Sequence, residues 1–406
     1  LSAHQFKLHR PQVLEVVQCL KEIFEHKRLA DKVIEKCFKS NPKLGKRDRA
    51  FIAQQVYDIT RNYVLVTSCV PEATNFWSIV GAWLIIRHQD LPEWQEFQSL
   101  SATRIRKNMA DLTKAPAFKW SIPPELDHYG TSVLGERWYK EMQAMHEAAP
   151  LVLRVNTLKA NRKQVIDALH SLEIKYHLIP SSTEEAIIVD QRINLFSTPL
   201  FKQGWVEVQD HSSQQVGHFV DPQPGMRVVD ACAGGGGKSL HLAALMGNKG
   251  RIISMDIDGY KLNNLKVRAK RSGAGIIESR LIENNKTIKR LAESADKVLL
   301  DVPCSGSGVL RRNPDAKYRL DKNYINQLIS KQKQILDDYS VMVKPGGELI
   351  YVTCSIFPDE NENQIDLFLK NHSEFEMIRT RQLWPSESGF DGFFMVKMRK
   401  RPLVVK

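Results

Sequence analysis

The chain has 406 residues, 42% of them apolar, and a formal net charge of +12. That length predicts two or three domains at roughly 150 residues each, and the apolar fraction excludes a disordered chain. The charge argues for a polyanionic partner, with nucleic acid first. Six cysteines, Cys19, Cys37, Cys69, Cys232, Cys304 and Cys354, form no CxxC pair, so no zinc ribbon and no metal is expected.

The leading residues carry His4, Lys7, His9, Arg10 and Pro11 with no signal-peptide core, and the opening Leu1 predicts a trimmed initiator end. The longest apolar stretch, Trp77 to Ile86, is far short of the roughly 20 residues of a membrane span. A cytoplasmic monomer with reduced thiols is expected. From Pro11 to His26, Val13, Val16, Val17, Leu20 and Phe24 fall at helical spacing, with Pro11 suited to a first turn. Further helices are predicted over Asp31 to Phe38, from Asp48 after the breaker Asn41 to Gly45, over Phe76 to Arg87 and over Arg137 to Glu147. Residues 1–145 thus form an all-helical module. Its basic clusters, Lys43, Lys46, Arg47 and Arg49 and then Arg104, Arg106 and Lys107, read either as a solvated face or as phosphate contacts.

Residues 149–203 form a small α/β insert. A strand is predicted over Leu151 to Asn156, a helix over Arg162 to Leu172, and strands over Ile174 to Ile179 and Ala186 to Val189. Residues 204–406 alternate strand and helix. The strands are Met226 to Asp230, Arg251 to Asp256, Ile276 to Ile282, Lys297 to Asp301 and Glu348 to Cys354. Helices run over Lys238 to Met246, Tyr260 to Arg271 and Tyr324 to Val343. Such alternation gives an α/β fold with a mostly parallel open sheet, whose ligands bind beyond the carboxyl ends of the strands. The segment Phe375 to Ile378 followed by Phe393 to Met398 permits an antiparallel edge.

The loop Cys232-Ala233-Gly234-Gly235-Gly236-Gly237-Lys238 lies between the first of these strands and its helix. Four consecutive glycines are costly for a mere turn, and they let a ligand approach the backbone. Gly237-Lys238-Ser239 mimics the end of a phosphate-binding loop, but Cys232 stands where that motif needs a glycine. Asp230 would also repel a phosphate. A sulfonium cofactor with an amino-acid tail fits better, with Asp256 at the next strand end accepting the ribose hydroxyls.

Two cysteines end successive strands at the same sheet edge, in Asp301-Val302-Pro303-Cys304-Ser305 and Thr353-Cys354-Ser355. Carbon 5 of cytosine is too weak a nucleophile to take a methyl group unaided. A thiolate added at carbon 6 makes the ring an enamine whose carbon 5 attacks. An acid near nitrogen 3 must balance the developing charge, and Asp301, protonated or sharing a proton with Lys238, is suited to this. Which thiol attacks is left open by the chemistry.

Residues 205–399 resemble the Nop/Sun (Fmu, RsmB-type) family of S-adenosylmethionine-dependent RNA cytosine-5 methyltransferases. The resemblance rests on Trp205-Val206-Glu207-Val208-Gln209-Asp210 with Ser213-Gln214, the glycine loop and both cysteine motifs. Arg311-Arg312-Asn313-Pro314-Asp315 and Asp391-Gly392-Phe393-Phe394 add to it. It implies a class I (Rossmann-like) methyltransferase domain behind a NusB-like RNA-binding module and an RRM- or ferredoxin-like insert. It also implies that Cys354 attacks, that Cys304 assists release, that Asp256 binds the ribose and that Glu283 lies near the adenine. Asp301 would lie near both methionine tail and target base. The loop departs from the family's usual CAAPGGKT by Gly234 and Gly235, and Glu283 replaces the usual aspartate. Small-subunit (16S) ribosomal RNA is the implied substrate, bound in part through Arg311 and Arg312. The alternatives are a transfer RNA methyltransferase, a non-catalytic RNA-binding assembly factor and a phosphate-loop nucleotide hydrolase.

Overall fold

The computed structural model describes residues 8–402 apart from 73, 74, 180–184 and 192, so the polar residues His4 and Lys7 lie outside the described residues. The chain divides into two compact units. One comprises the described residues up to Glu147 together with Leu310–Tyr324; the other comprises the described residues of 148–309 and those from Ile325 onward. Among the described residues no helix is long and apolar enough to cross a membrane.

The first unit is helical. Its longer helices are Arg10–Phe24, Ala30–Ser40, Lys46–Arg61, Phe76–Ile86, Ala102–Leu112, Pro124–Leu134 and Arg137–His146. The apolar stripe of the first, with Val13, Val16 and Leu20, packs with Ile52, Val56 and Ile59 of the third in one fully buried cluster. Gly130 lets the ring of Trp138 lie against its helix, where a Cβ would come within 2.4 Å of the indole.

Leu310–Tyr324 is the part of this unit that periodicity does not reveal. Lys317 is buried and donates from Nζ to the carbonyls of Arg61 at 2.9 Å and Ser121 at 2.8 Å. Tyr318 donates to Thr60 O at 2.8 Å. These bonds correct one expectation. Arg311 is buried, with its guanidinium donating to Ala144 O at 2.9 Å, so it serves helix packing here and is not displayed to a phosphate.

The second unit holds two sheets. β1 (Leu151–Val155), β2 (Tyr176–Leu178), β3 (Ala186–Val189) and β4 (Val206–Val208) form an antiparallel sheet of order β2-β3-β1-β4. The small sheet therefore extends past residue 203, because β4 pairs with β1. Its helix, Arg162–Ser171, starts at a capping box in which Asn161 and Gln164 exchange hydrogen bonds of 2.9 Å.

The larger sheet contains β5 (Arg227–Asp230), β6 (Arg251–Asp256), β7 (Ile277–Leu281), β8 (Ala295–Asp301), β9 (Val343–Thr353), β10 (Phe375–Leu383) and β11 (Phe393–Lys400). Their order is β10-β11-β9-β8-β5-β6-β7. β9, β8, β5, β6 and β7 run parallel, while β11 is antiparallel to both β9 and β10. The expected antiparallel edge is thus a hairpin. The direction of progression reverses between β5 and β8, the place where such sheets open a crevice. Because these strands are parallel, Asp230, Asp256, Asp301 and Thr353 all end at one edge of the sheet.

Candidate active site

The helix Gly237–Leu245 begins directly after the glycine loop. Gly234 and Gly236 have φ of +52° and +81°, a region that favours glycine, and a Cβ on Gly236 would come within 2.5 Å of Leu265. Asp230, wholly buried at the end of β5, anchors the loop from below. It accepts from Ser239 Oγ at 2.6 Å, and Ser254 Oγ donates to Ser239 in turn. Burial pushes the Asp230 carboxyl up to about 7, against the hydrogen bond from Ser239. Asp256 accepts from Gly234 N at 2.8 Å through one oxygen and from Asp258 N at 2.9 Å through the other.

Beyond the strand ends lies a cavity of about 490 Å³. Of the expected cofactor residues, Cys232, Gly234, Asp256, Glu283 and Asp301 line it; Ala233, Gly235, Gly236, Gly237 and Lys238 do not. The last five lie in the rest of the loop and the first turn of the helix that follows it. Asn284 beside Glu283 also lines the cavity, but its side-chain oxygen caps the following short helix by accepting from Lys286 N at 2.9 Å. The far wall, Lys331, Gln334, Ile335, Asp338 and Tyr339, comes from the helix Lys322–Tyr339.

Four carboxylates, Asp256, Glu283 and Asp301 on the strand side and Asp338 on the far wall, outnumber the two lysines of the cavity, Lys261 and Lys331, and suit ribose hydroxyls, a sulfonium and an α-ammonium group. The excess of carboxylates disfavours a triphosphate. This donor set fits S-adenosylmethionine and excludes the phosphate-loop reading. Asp256→Ala should weaken cofactor binding by about 2–3 kcal/mol, the scale of lost charge-assisted hydrogen bonds, or roughly 30- to 140-fold in Kd. Titration calorimetry checks this, and unchanged affinity would remove Asp256 from the site.

Lys238 turns from the cavity toward Asp301, donating to Oδ2 at 2.5 Å, and its ammonium lies 5.3 Å from the centre of the Phe393 ring. Burial pulls this ammonium down, but the charge and hydrogen bond of Asp301, with the Cys354 sulfur, hold it above its ordinary value. Cys354 Sγ lies 3.3 Å from Cys304 Sγ, and both are free cysteines. The Cys304 thiol is pushed well above its ordinary value by its hydrogen bond to Cys354, by burial, and by the charges of Cys354 and Glu360.

The two cysteine loops and the Asp391–Phe394 segment meet at glycines. Gly308 N donates to Cys354 O at 2.9 Å, and Gly392 N donates to Gly308 O at 2.8 Å. A Cβ on Gly308 would come within 2.6 Å of Gly392 O. Asp210, which caps the helix His211–Val220, also accepts from Asp391 N at 3.3 Å.

Two supporting residues escape the sequence reading. Arg268 donates to Gly235 O at 2.7 Å and to Glu207 of β4 at 2.9 Å, so the small sheet braces the glycine loop. Its one sequence signal is its place in a helix that follows an acid-ended strand. Glu360 lies buried beneath both cysteine loops, and nothing in Pro358-Asp359-Glu360 marks it as internal. Away from this edge, Glu185, His218 and His241 cluster, with His218 Nε2 2.8 Å from Glu185 Oε2. The fully buried Arg154 supplies positive charge beside Glu185 there.

A parallel sheet with its order reversed beside β5, an antiparallel terminal hairpin, a glycine loop after β5 and an acid ending β6 define a class I S-adenosylmethionine-dependent methyltransferase. The family described as 16S rRNA methyltransferase RsmB/F matches residues 218–399, and the ferredoxin-like domain of RsmF/B-like methyltransferases matches residues 131–195. The chain is 32% identical over 319 residues to a probable ribosomal RNA small subunit methyltransferase B of Bacillus subtilis, spanning 73% of this chain and 68% of that protein. A solved structure designated PH0851 superposes with a TM-score of 0.82 at 26% identity, over 98% of this chain and 100% of that one. A methyltransferase homolog protein from Pyrococcus horikoshii gives 0.62 at 28% identity, over 70% and 97% respectively. The chain belongs to the RsmB/F family of methyltransferases, and S-adenosylmethionine is its cofactor.

Proposed function

We propose that the chain methylates carbon 5 of a cytosine in 16S ribosomal RNA through a covalent adduct with Cys354. The observation that carries this reading is the pair of thiols 3.3 Å apart beside the Lys238–Asp301 ion pair. The Bacillus subtilis relative's description as a small subunit ribosomal RNA methyltransferase supports the choice of RNA.

In this reading Cys354 Sγ adds to carbon 6 of the ring, and the electron pair moves toward nitrogen 3. The Asp301–Lys238 pair holds the proton that nitrogen 3 takes up. Bound S-adenosylmethionine supplies the electrophilic methyl group for carbon 5. Loss of the carbon 5 proton to a base then expels Cys354, and Cys304, whose environment keeps it protonated, assists that release. The target base must leave its stack to reach the thiols, so unpaired cytosines should react best. Lys43, Lys46 and Arg47 are exposed on the helical unit and are the phosphate contacts we favour, which makes RNA affinity fall as salt rises. Arg49 is committed otherwise, donating to Leu44 O at 2.9 Å and stacking on Phe38. Arg104 pairs with Glu72.

The test is bisulfite sequencing of a 16S rRNA transcript incubated with the full chain and S-adenosylmethionine. A discrete cytosine protected from conversion is expected. Methyl incorporation into 16S rRNA with no protected cytosine would exclude carbon 5. Incorporation into transfer RNA alone would exclude the substrate.

A further inference from the structure

A serine follows each cysteine of the pair, Ser305 after Cys304 and Ser355 after Cys354. One buried carboxylate joins them. Glu360 Oε2 accepts from Ser305 Oγ at 2.5 Å and from Ser355 Oγ at 2.5 Å. Its Oε1 accepts from Ser305 N at 2.8 Å and from Gln332 Nε2 at 2.8 Å. Gln332, itself buried, also donates to Pro303 O at 3.0 Å, just before Cys304. The backbone carbonyl of Glu360 accepts from Tyr351 OH at 2.7 Å. The nearby Glu362 is exposed, while Glu360 is 0% exposed. Removing a carboxylate from water is costly unless its oxygens are fully hydrogen-bonded, and here four donors meet that need. Glu360 is not among the residues that line the cavity beyond the strand ends. Three of the four donors to its carboxylate come from the two loops that carry the sulfurs.

We propose that Glu360 is a positioning residue for the two-thiol reaction, tying the backbone after Cys304 to the backbone after Cys354 and so setting the separation and division of labour of the two sulfurs. This rests on the thiol mechanism proposed above. Two independent effects converge on it. The hydrogen bonds fix the loops, and the negative charge adds to the forces that keep the Cys304 thiol protonated. Cys304 then remains the proton carrier and Cys354 the attacker.

The test uses Glu360→Gln in the full chain, which keeps the size of the side chain and removes its charge. The readouts are methyl-transfer kinetics, cofactor affinity by calorimetry, and rates of iodoacetamide alkylation of each cysteine across pH, followed by peptide mass spectrometry. We expect kcat to fall on the order of 10- to 100-fold, as for a modest misplacement of reacting groups. Cofactor affinity should stay within about twofold. The alkylation midpoint of Cys304 should move to lower pH as a like charge is removed. Glu360→Asp, which restores the charge, should return that midpoint toward the parent. A parental kcat in Glu360→Gln overturns the proposal. So does a fall in kcat with both alkylation profiles unmoved, since that is what a merely structural residue would give. If Glu360→Gln does not fold, the double variant Ser305→Ala, Ser355→Ala removes the same ties from the other side and should lower kcat equally; parental kcat there overturns the proposal. Activity surviving in Cys354→Ala would instead sink the thiol mechanism, whereas the alkylation profiles report on Glu360 whatever the reaction is.

Discussion

Cys354→Ala is expected to abolish methyl transfer and to form no protein–RNA adduct, whereas Cys304→Ala should accumulate one that survives denaturing electrophoresis. The two sulfurs are 3.3 Å apart, so both reach the same base and position alone does not separate attacker from assistant. The proposed division of labour rests on their surroundings. Cys304 is held protonated by Cys354, by burial and by Glu360, which suits a proton carrier. The Cys354 sulfur in turn helps hold the Lys238 ammonium above its ordinary value, which places a cation within reach of the proposed attacker. Removing the attacker blocks the first covalent step. Removing the assistant permits attack and methylation but stalls elimination, so the intermediate builds up. The double variant should form no adduct. An adduct in Cys354→Ala and none in Cys304→Ala would assign attack to Cys304, as in DNA cytosine methyltransferases.

Lys238→Met should stop methyl transfer and also destabilise the domain. It leaves Asp301 without the cation that now donates to it at 2.5 Å. Breaking a fully buried pair costs about 3–5 kcal/mol. Asp301 keeps 28% of its side chain exposed and can recover some hydration, so about 2–3 kcal/mol is expected here. The double variant Lys238→Met, Asp301→Asn removes both charges and should regain most of the stability in urea melts while remaining inactive. Recovery of activity along with stability would show that the pair only holds the fold. Parental stability in the single variant would show that Asp301 finds another partner.

Much of the site was legible in the sequence because a parallel sheet turns strand ends into neighbours. Once β5, β6, β8 and β9 were assigned, Asp230, Asp256, Asp301 and Cys354 had to share one edge. The glycine loop was equally plain, since positive φ at Gly234 and Gly236 needs the residue type seen there. The helix Glu362–Asn371 carries only a short sequence signal, its buried Ile365 and Phe368 three apart.

What only the tertiary structure decided are the pairings between residues far apart in the chain. Arg311 reads as a basic surface residue, and it is buried because Leu310–Tyr324 packs into the helical unit. The three-residue strand β4 is too short for a periodic signal and exists through its pairing with β1. Arg268 and Glu360 look like ordinary charged residues of helix and loop. Residue type sets what a side chain can donate or accept, but only the packing of distant segments sets whether it meets water or a buried partner. Gly235 O and Glu207 await Arg268, and Ser305 and Ser355 await Glu360.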